Sequence, residues 1–201
     1  MKAATGKIEQ GEQTRARLVE VARTLFAERG YAGTSAEEIV RRAGVTRGAL
    51  YHHFDGKKNL FEQVFEEVEA EVIAEIAERM ADAQDATDVL HTGTLAFLDV
   101  CTDPEISRIG MVDAPSALGW QKWREIDIRY SLGLVMAALE AGMEDGTFPR
   151  QPVLPLAHLL LGAMIEAGMM IANSEDPAAT RVEVEGPLIS LLEGLKARPP
   201  G

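Results

Sequence analysis

Apolar side chains return every three or four residues along nearly the whole chain, and this spacing most limits the folds available to it. The first clear case is Leu18, Ala22, Leu25 and Phe26, which would share one face of a helix that Gly30 can end. A strand would instead alternate polar and apolar residues with a period of two. The spacing therefore predicts an all-α fold.

The same pattern predicts helices over most of the sequence. Residues 181–185 alternate in the manner of a strand, but no second strand is expected to pair with them. The long helix over 57–83 carries an apolar stripe, and seven glutamates are expected to cover the rest of its surface. Gly186-Pro187 interrupts the last segment, so we expect it to be kinked or split there. The predicted helices cover roughly residues 13–29, 35–42, 46–54, 57–83, 86–102, 104–113, 116–144, 153–173 and a segment from Asp176.

Two short helices joined at Gly44 form the most informative segment, residues 34–61. A capping box starts the first of them, with either Thr34 or Ser35 as the N-cap, and Thr46 can cap the second. This arrangement is a helix-turn-helix, whose second helix enters the major groove of DNA. The second helix, over 46–54, presents an arginine, small residues, a tyrosine and two histidines, which suits contact with bases and phosphates.

The charge of the chain changes sign near residue 60. The whole chain carries a formal charge of −12, which by itself argues against nucleic acid. Residues 1–60, however, hold 11 Lys and Arg against 7 Asp and Glu, a net charge of +4, and the remainder carries −16. Such an asymmetry indicates an interaction surface on the basic segment, and the acidic remainder would leave only that face able to approach DNA.

The stretch YAGTSAEEIVRRAGVTRGALYHHFDGKKNLF resembles the DNA-binding domain of the TetR family of bacterial transcriptional regulators, and its centre is GVTRGALYHHF at residues 44–54. The resemblance covers about residues 13–61. It implies a three-helix helix-turn-helix DNA-binding domain over 1–56, followed by a helical ligand-binding and dimerisation domain over 57–201. The long helix and the acidic helical remainder fit this order of elements.

The resemblance also implies which side chains contact DNA. Arg47 would read a base, with guanine O6 and N7 as the expected acceptors, and Gly48 and Ala49 would lie against the groove floor. The phosphate contacts would come from Tyr51, from His52, from the Lys57 ammonium at the start of the long helix and from one of the two capping residues of the first short helix. Tyr51 also suits a packing role, and His53 is expected to pack or cap. The implied DNA-contacting residues are Thr34, Ser35, Thr46, Arg47, Gly48, Ala49, Tyr51, His52 and Lys57, with Arg15, Arg41 and Arg42 as weaker candidates.

A small-molecule effector would bind in the second domain, although the sequence does not identify it. The candidate pocket residues are large apolar or sulfur-containing side chains of the middle helices, each of which also suits an ordinary core. Cys101 is not expected to act as a redox sensor, because nothing near it in the sequence would lower its pKa. The candidates are Phe65, Phe97, Cys101, Met111, Trp120, Trp123, Met136 and Met164.

Two apolar stripes predict a homodimer built from the helices near 153–173 and 178–197. The first stripe is Leu156, Leu160, Ala163, Ala167 and Met170, and the second is Leu188, Leu191, Leu192 and Leu195. Four such helices could form a two-fold interface, unless both stripes are buried within one chain. Two-fold symmetry would require a near-palindromic operator. Binding of the effector would release the DNA in the common mode of the family, while the sign of this coupling, the operator and the regulated genes stay open.

Other functions are less consistent with the sequence. No metal-ligand spacing, nucleophile elbow or phosphate-binding loop is present, so neither an enzyme, a metal site nor a cofactor is expected. His158 and Glu166 interrupt the longest apolar run, so no membrane span is expected and a cytoplasmic location is predicted. The alternative to a regulator is a helical protein-interaction module whose helix-turn-helix does not bind DNA.

Overall fold

A computed structural model describes residues 2–196, with side chains described from Gln10 onward. This part of the chain is helical and contains no strand, which confirms the all-α prediction. A seven-residue π-helix, Ser107–Asp113, lies between α6 and α7. The α-helices are α1 Lys2–Arg29, α2 Ala36–Ala43, α3 Arg47–His53, α4 Lys57–Met80, α5 Ala86–Val100, α6 Pro104–Ile106, α7 Ala114–Leu118, α8 Trp120–Glu144, α9 Val153–Ala172 and α10 Pro177–Glu193.

The two short helices α2 and α3 begin and end at the residues that the sequence indicates. Ser35 is the N-cap of α2, and its Oγ accepts a 3.1 Å hydrogen bond from the Glu38 N–H. Gly44 ends α2 in the left-handed conformation with φ +68°, which favours glycine. Thr46 Oγ1 accepts a 3.1 Å hydrogen bond from the Ala49 N–H and so caps α3. The helix-turn-helix is confirmed.

Helix α4 packs against both halves of the chain. Its apolar stripe is completely or almost completely buried, and it contacts α1 on one side and α5 and α8 on the other. At its start, the Phe61 ring lies 5.0 Å from the rings of Phe26 and Tyr31, in edge-to-face contacts. Further along, Val72 and Ile76 line the middle of the helical bundle. A single core therefore continues from the helix-turn-helix into the C-terminal helices.

The middle of the chain differs from the predicted helix boundaries. Residues 104–118 form one helical segment made of α6, the π-helix and α7, and Gly119 then separates this segment from α8. The sequence predicted separate helices over 104–113 and 116–144. Gly119 has a φ of +89°, a conformation that breaks the helical path and that L side chains rarely adopt. The helical spacing of apolar residues on both sides concealed this break.

Helix α10 is not split at Gly186-Pro187, so of the two expected alternatives, a kink or a split, the structure excludes the split. The helix continues from Pro177 to Glu193 with Pro187 inside it. Proline removes one N–H donor and leaves the carbonyl oxygen of Glu183 without its helical partner. Glu183, Gly186 and Pro187 are all exposed, so the unpaired carbonyl lies where water can solvate it.

The predicted dimer stripes lie mostly on the inner faces of α9 and α10. Of the first stripe, Leu160 and Ala167 are buried, Leu156 and Ala163 are half-buried, and only Met170 is exposed. Of the second, Leu188 and Leu192 are buried, Leu195 is half-buried, and only Leu191 is exposed. The structure therefore corrects most of this prediction, because the residues of the two stripes pack mainly in the core of one chain. A different face of the two helices is exposed and apolar or small, at Leu159, Gly162, Met170, Val182, Gly186 and Leu191.

Apolar residues on more than one face give α9 an unusual composition. It has the length and mean hydropathy, 20 residues and 1.7, of a membrane-spanning helix, so His158 and Glu166 do not interrupt it by this measure. In the structure α9 packs against α5, α8, α10 and the π-helix. Length and composition alone are weak evidence for a span, because a core helix has the same properties.

Lys57 joins the start of α4 to the loop between α1 and α2. Its ammonium donates hydrogen bonds of 2.8 Å to the Tyr31 carbonyl and 2.9 Å to the Thr34 carbonyl, and lies 3.9 Å from the centroid of the Tyr31 ring. Burial lowers the pKa of Lys57, while the nearby Asp113 opposes this shift. The ammonium group is thus engaged within the protein, which corrects the expectation of a free cation that meets a phosphate.

Replacement of Lys57 by methionine should therefore destabilise the fold. Two loop carbonyls would lose a charged donor, which costs about 1–3 kcal/mol of unfolding free energy. Arg17→Met, at an exposed position of α1, is the control and should change the unfolding free energy by less than about 0.5 kcal/mol. Urea unfolding followed by circular dichroism measures both. Equal stability of the two variants would contradict the structural role of Lys57.

Candidate functional site

The outer surface of α3 carries most of the predicted DNA-contacting residues. Ser35, Thr46, Arg47, Gly48, Tyr51 and His52 are exposed, and Ala49 is half-buried. Two of the predicted residues are not available on this surface, because Lys57 bonds to the loop and the Thr34 side chain is buried. The hydroxyl of Thr34 lies 3.1 Å from the Leu25 carbonyl and 2.9 Å from the Gly30 carbonyl, so Thr34 closes the end of α1 instead.

Arg47 is the most prominent basic group of this surface. Its side chain is 70% exposed, lies 5.5 Å over the Tyr51 ring and is 3.6 Å from the Glu37 carboxylate. An exposed ion pair of this kind contributes little stability, so the guanidinium is free to exchange it for another acceptor. Leu50, three residues further along α3, is completely buried and anchors the helix in the core.

The backbone of α3 is open at Gly48. A Cβ atom added there would meet no atom nearer than 3.9 Å, so the fold itself does not require glycine at this position. A small residue on an exposed recognition helix allows close approach by a partner. This arrangement fits the prediction that Gly48 lies against a groove floor.

Other basic side chains near α3 are held by partners. Arg29, Arg41 and Arg42 surround Glu38, with N···O distances of 2.7, 3.5 and 3.8 Å. Arg15 donates a 2.6 Å hydrogen bond to a glutamine side chain of α4. The weaker candidates for DNA contact thus have acceptors within the free protein.

His53 occupies a position different from that of its neighbour. It is half-buried, next to Gly11 and Arg15, and His52 is exposed. Burial, together with the charges of His52 and Arg15, lowers the pKa of His53. This position agrees with the prediction that His53 packs.

A second candidate site is a cavity between α4, α5, the π-helix, α8 and α9. About 70 Å³ of it is accessible to the centre of a water molecule, which is room for roughly five waters. Its wall is mainly apolar. Of the predicted pocket residues, Phe97, Cys101, Met111 and Met164 line it.

The other four predicted pocket residues lie elsewhere. Trp123 is core, and its Nε1–H donates a 3.0 Å hydrogen bond to the Gly110 carbonyl. Trp120 lies on the outer surface, with 58% of it exposed. Phe65 is completely buried in the core, and Met136 packs on a separate apolar cluster around Leu139. Phe65, Trp123 and Met136 are thus core residues rather than pocket residues, whereas Trp120 is exposed and belongs to neither.

Glu69 is the cavity residue that the sequence did not identify. It lies on the buried face of α4, only 8% exposed, and lines the cavity. Burial, and secondarily the charge of Asp127, raises the pKa of Glu69 to about 8. Neither a hydrogen bond nor a cation from the described residues opposes that shift. Its position in the apolar stripe, four residues after Phe65 and three before Val72, was the available signal.

Asp127 is the second carboxylate of the cavity wall, and it has a partner. The Arg124 guanidinium donates a hydrogen bond to it. Burial raises the pKa of Asp127, and Arg124 acts in the opposite direction. The cavity thus contains one paired and one unpaired carboxylate.

Two further expectations concern reactive groups. The Cys101 thiol is buried, and burial together with the nearby Glu69 raises its pKa, which agrees with the expectation that it is not a redox sensor. Among the residues that the structure describes, no three His, Cys, Asp or Glu side chains come together in a way that could hold a metal ion.

The unpaired carboxylate predicts a dependence of stability on pH. The pKa of Glu69 is higher in the folded protein than in the unfolded chain. The contribution of this carboxyl group to the unfolding free energy is therefore favourable at low pH and falls as the pH rises. Between about pH 5 and 8 this contribution to the unfolding free energy falls by about 1.4 kcal/mol per pH unit. Glu69→Gln should remove this fall and should be more stable than the wild type at pH 9.

Urea unfolding between pH 5 and 9 measures this difference. Glu78→Gln, at an exposed position of the same helix, is the control and should follow the wild type. A Glu69→Gln variant with the same pH profile as the wild type would contradict the burial of an unpaired carboxylate.

Comparison with known proteins finds relatives for both the N-terminal and the C-terminal part of the chain. Residues 18–64 match the bacterial regulatory proteins of the tetR family, and residues 87–195 match the tetracyclin repressor-like C-terminal domain. The transposon Tn10 TetC protein of Escherichia coli is 27% identical over 177 residues, 88% of this chain and 87% of TetC.

Solved structures show the same fold. A TetR-family transcriptional regulator from Pectobacterium atrosepticum has a TM-score of 0.84 and 33% identity, over 96% of this chain and 98% of that one. RolR, solved with resorcinol, has a TM-score of 0.74 and 21% identity, over 96% of this chain and 98% of RolR. The chain therefore belongs to the TetR family of bacterial regulatory proteins and is a transcriptional regulator that binds DNA through its N-terminal domain.

Proposed function

We propose that the chain is a repressor that binds a near-palindromic operator as a homodimer, with α3 of each protomer in the major groove. The observation that carries this proposal is the exposed face of α3, where Arg47, held only by an exposed ion pair with Glu37, lies beside the open backbone of Gly48. Arg47 would donate two hydrogen bonds to a guanine, and Ser35, Thr46, Tyr51 and His52 would contact phosphates around it. The basic charge of residues 1–60 directs this face to DNA.

Exposed apolar residues on α9 and α10 support the homodimer. Leu159, Met170, Val182 and Leu191 are between 52% and 72% exposed. Gly162 and Gly186 lie among them and are also exposed, so a helix of a second copy could approach closely. The dimer face that we propose therefore uses the same helices as the two stripes that the sequence suggested, but it shares only Met170 and Leu191 with them.

The π-helix offers a route from the cavity to the DNA-binding domain. Gly110 and Met111 line the cavity, and Asp113, at the end of the same π-helix, accepts a 2.7 Å hydrogen bond from the Tyr31 N–H. Tyr31 also binds Lys57 through its carbonyl. A ligand that shifts the π-helix would therefore act on the end of α1 and on the start of α4 together.

A small molecule in the cavity is thus proposed to release the operator. Helix α4 forms part of the cavity wall. In the proposed mechanism this helix carries the conformational shift from the ligand to the DNA-binding domain. Binding and release would be reciprocal, because a ligand that prefers the DNA-incompatible conformation must itself bind more weakly to the DNA-bound protein. We place this regulator in the cytoplasm, without membrane association and without catalytic activity.

Arg47→Ala tests the recognition surface. With an operator selected from random DNA, the variant should bind it about 1–3 kcal/mol more weakly and should lose discrimination against a base-substituted operator. Gel-shift titration of both duplexes at one salt concentration measures the affinities.

Arg41→Ala is the matched control, because it removes an equally charged and exposed side chain from α2. It should change the affinity for both duplexes by the same factor. Unchanged discrimination in Arg47→Ala would contradict base reading by Arg47. The absence of salt-dependent binding to any duplex would favour the alternative, a helical protein-interaction module.

The double variant Leu159→Glu, Leu191→Glu tests the dimer face. Two charges in the apolar interface of each protomer should convert a dimer into a monomer at micromolar concentration, as measured by light scattering after size exclusion. Val112→Glu, at another exposed apolar position, should stay dimeric. A monomeric wild type, or a dimeric double variant, would contradict the proposed interface.

A further inference from the structure

Glu37 is an acidic side chain on the surface that the proposed function turns toward DNA. It lies in the first turn of α2, its side chain is 67% exposed, and its carboxylate Oε1 is 3.6 Å from Arg47 Nη1. Arg47 is the first residue of α3. A carboxylate at this position repels the phosphates of any duplex, so it lowers the affinity for DNA in general.

The fold itself gives little reason for this acid. Ser35 caps α2 by accepting a hydrogen bond from the Glu38 N–H, and Glu38 is the acid that three arginines surround. Among the residues that the structure describes, Arg47 is the one cation within ion-pair distance of Glu37. An exposed carboxylate in the first turn of a helix contributes only modestly to stability. The role of Glu37 is therefore to be sought in its effect on Arg47.

Two neighbours restrict the guanidinium of Arg47. One is the Glu37 carboxylate, and the other is the Tyr51 ring, whose centroid is 5.5 Å from the guanidinium carbon. A guanidinium has five N–H donors, and a guanine takes only two of them through O6 and N7. Arg47 can therefore bind guanine while a further N–H still faces Glu37. Because DNA displaces water from this surface, the ion pair becomes stronger in the complex.

An arginine without such a neighbour has another way to bind DNA. Its long side chain can turn to a phosphate oxygen, and this contact carries no sequence information. The phosphate contact reduces discrimination between duplexes, because it stabilises the complex with the wrong sequence as well. The Glu37 carboxylate competes with phosphate for the same guanidinium. The contribution of Arg47 to binding then depends on the base that it faces.

We propose that Glu37 is a positioning residue that sets the sequence specificity of operator binding, because it holds Arg47 toward the base and away from the phosphates. The proposal rests on the proposed function, in which Arg47 reads a guanine. Glu37 itself contacts neither base nor phosphate in this arrangement. It lowers the affinity for DNA in general, and it raises the ratio between the affinities for the operator and for a base-substituted operator.

Glu37→Gln tests this role, because glutamine has nearly the same shape and lacks the charge. Gel-shift titration compares a selected operator with the same operator in which the Arg47-dependent guanine is replaced by adenine. The variant should bind the substituted operator more tightly than the wild type does. The ratio of the two affinities should fall about two- to fivefold, the range expected for an exposed ion pair.

The salt dependence of binding reports where the Arg47 side chain goes. When Arg47 turns to a phosphate, counterions are released from the DNA. The slope of log affinity against log salt concentration on the substituted operator should therefore become steeper by about 0.9 in Glu37→Gln. A purely structural defect would instead weaken binding to both duplexes without a steeper slope.

Two further measurements assign the effect to the ion pair. In an Arg47→Ala background, Glu37→Gln should leave the affinity ratio and the salt slope unchanged, since the residue that Glu37 positions is absent. Glu20→Gln removes an equally charged and exposed side chain from α1. This control should keep the affinity ratio of the wild type.

Two results would overturn the proposal and leave base reading by Arg47 intact. One is an affinity ratio in Glu37→Gln equal to that of the wild type, which would show that Glu37 does not position Arg47. The other is a fall in the ratio that persists in the Arg47→Ala background, which would show that Glu37 acts on a base directly. Unchanged discrimination in Arg47→Ala itself would contradict the proposed function and this proposal together.

Discussion

Burial of one face of α4 is the interaction on which the rest of the structure depends. Phe61 holds the end of α1 and the α1–α2 loop through its edge-to-face contacts with Phe26 and Tyr31, so this face fixes the helix-turn-helix. Val72 and Ile76 of the same face form part of the cavity wall. The recognition helix and the cavity are therefore built on opposite ends of one rigid element, and neither end can be repacked without a consequence for the other.

The loop that follows α1 adds a second connection between the two halves. The backbone of Tyr31 is held from both sides, with its N–H bound by Asp113 and its carbonyl bound by Lys57. Arg23 of α1 forms a further bridge, with 2.6 and 2.7 Å contacts to Glu105 and Glu71. These contacts are directional, whereas the apolar packing of α4 is not. They give the π-helix and α6 a means to bias the orientation of α1.

The sequence predicted the parts of this structure that depend on local chemistry. The helix-turn-helix is such a part, because the caps at Ser35 and Thr46 and the left-handed Gly44 act within a few residues. Periodicity was less informative where a helix is apolar on two faces. It could not tell that Leu160 of α9 faces the core and that Leu159 faces outward. The sequence placed Lys57 and Glu69 on the surface because charged residues usually lie there. Only the fold shows that Lys57 binds a loop carbonyl and that Glu69 faces a cavity.

The central claim is that the cavity and α3 are coupled, and one measurement tests it directly. The affinity for a selected operator is measured with increasing amounts of a cavity ligand that a thermal-shift screen of the full chain identifies. The account predicts that operator binding weakens over the concentration range in which the ligand fills the cavity. Operator binding that stays constant while the cavity is saturated would contradict the coupling.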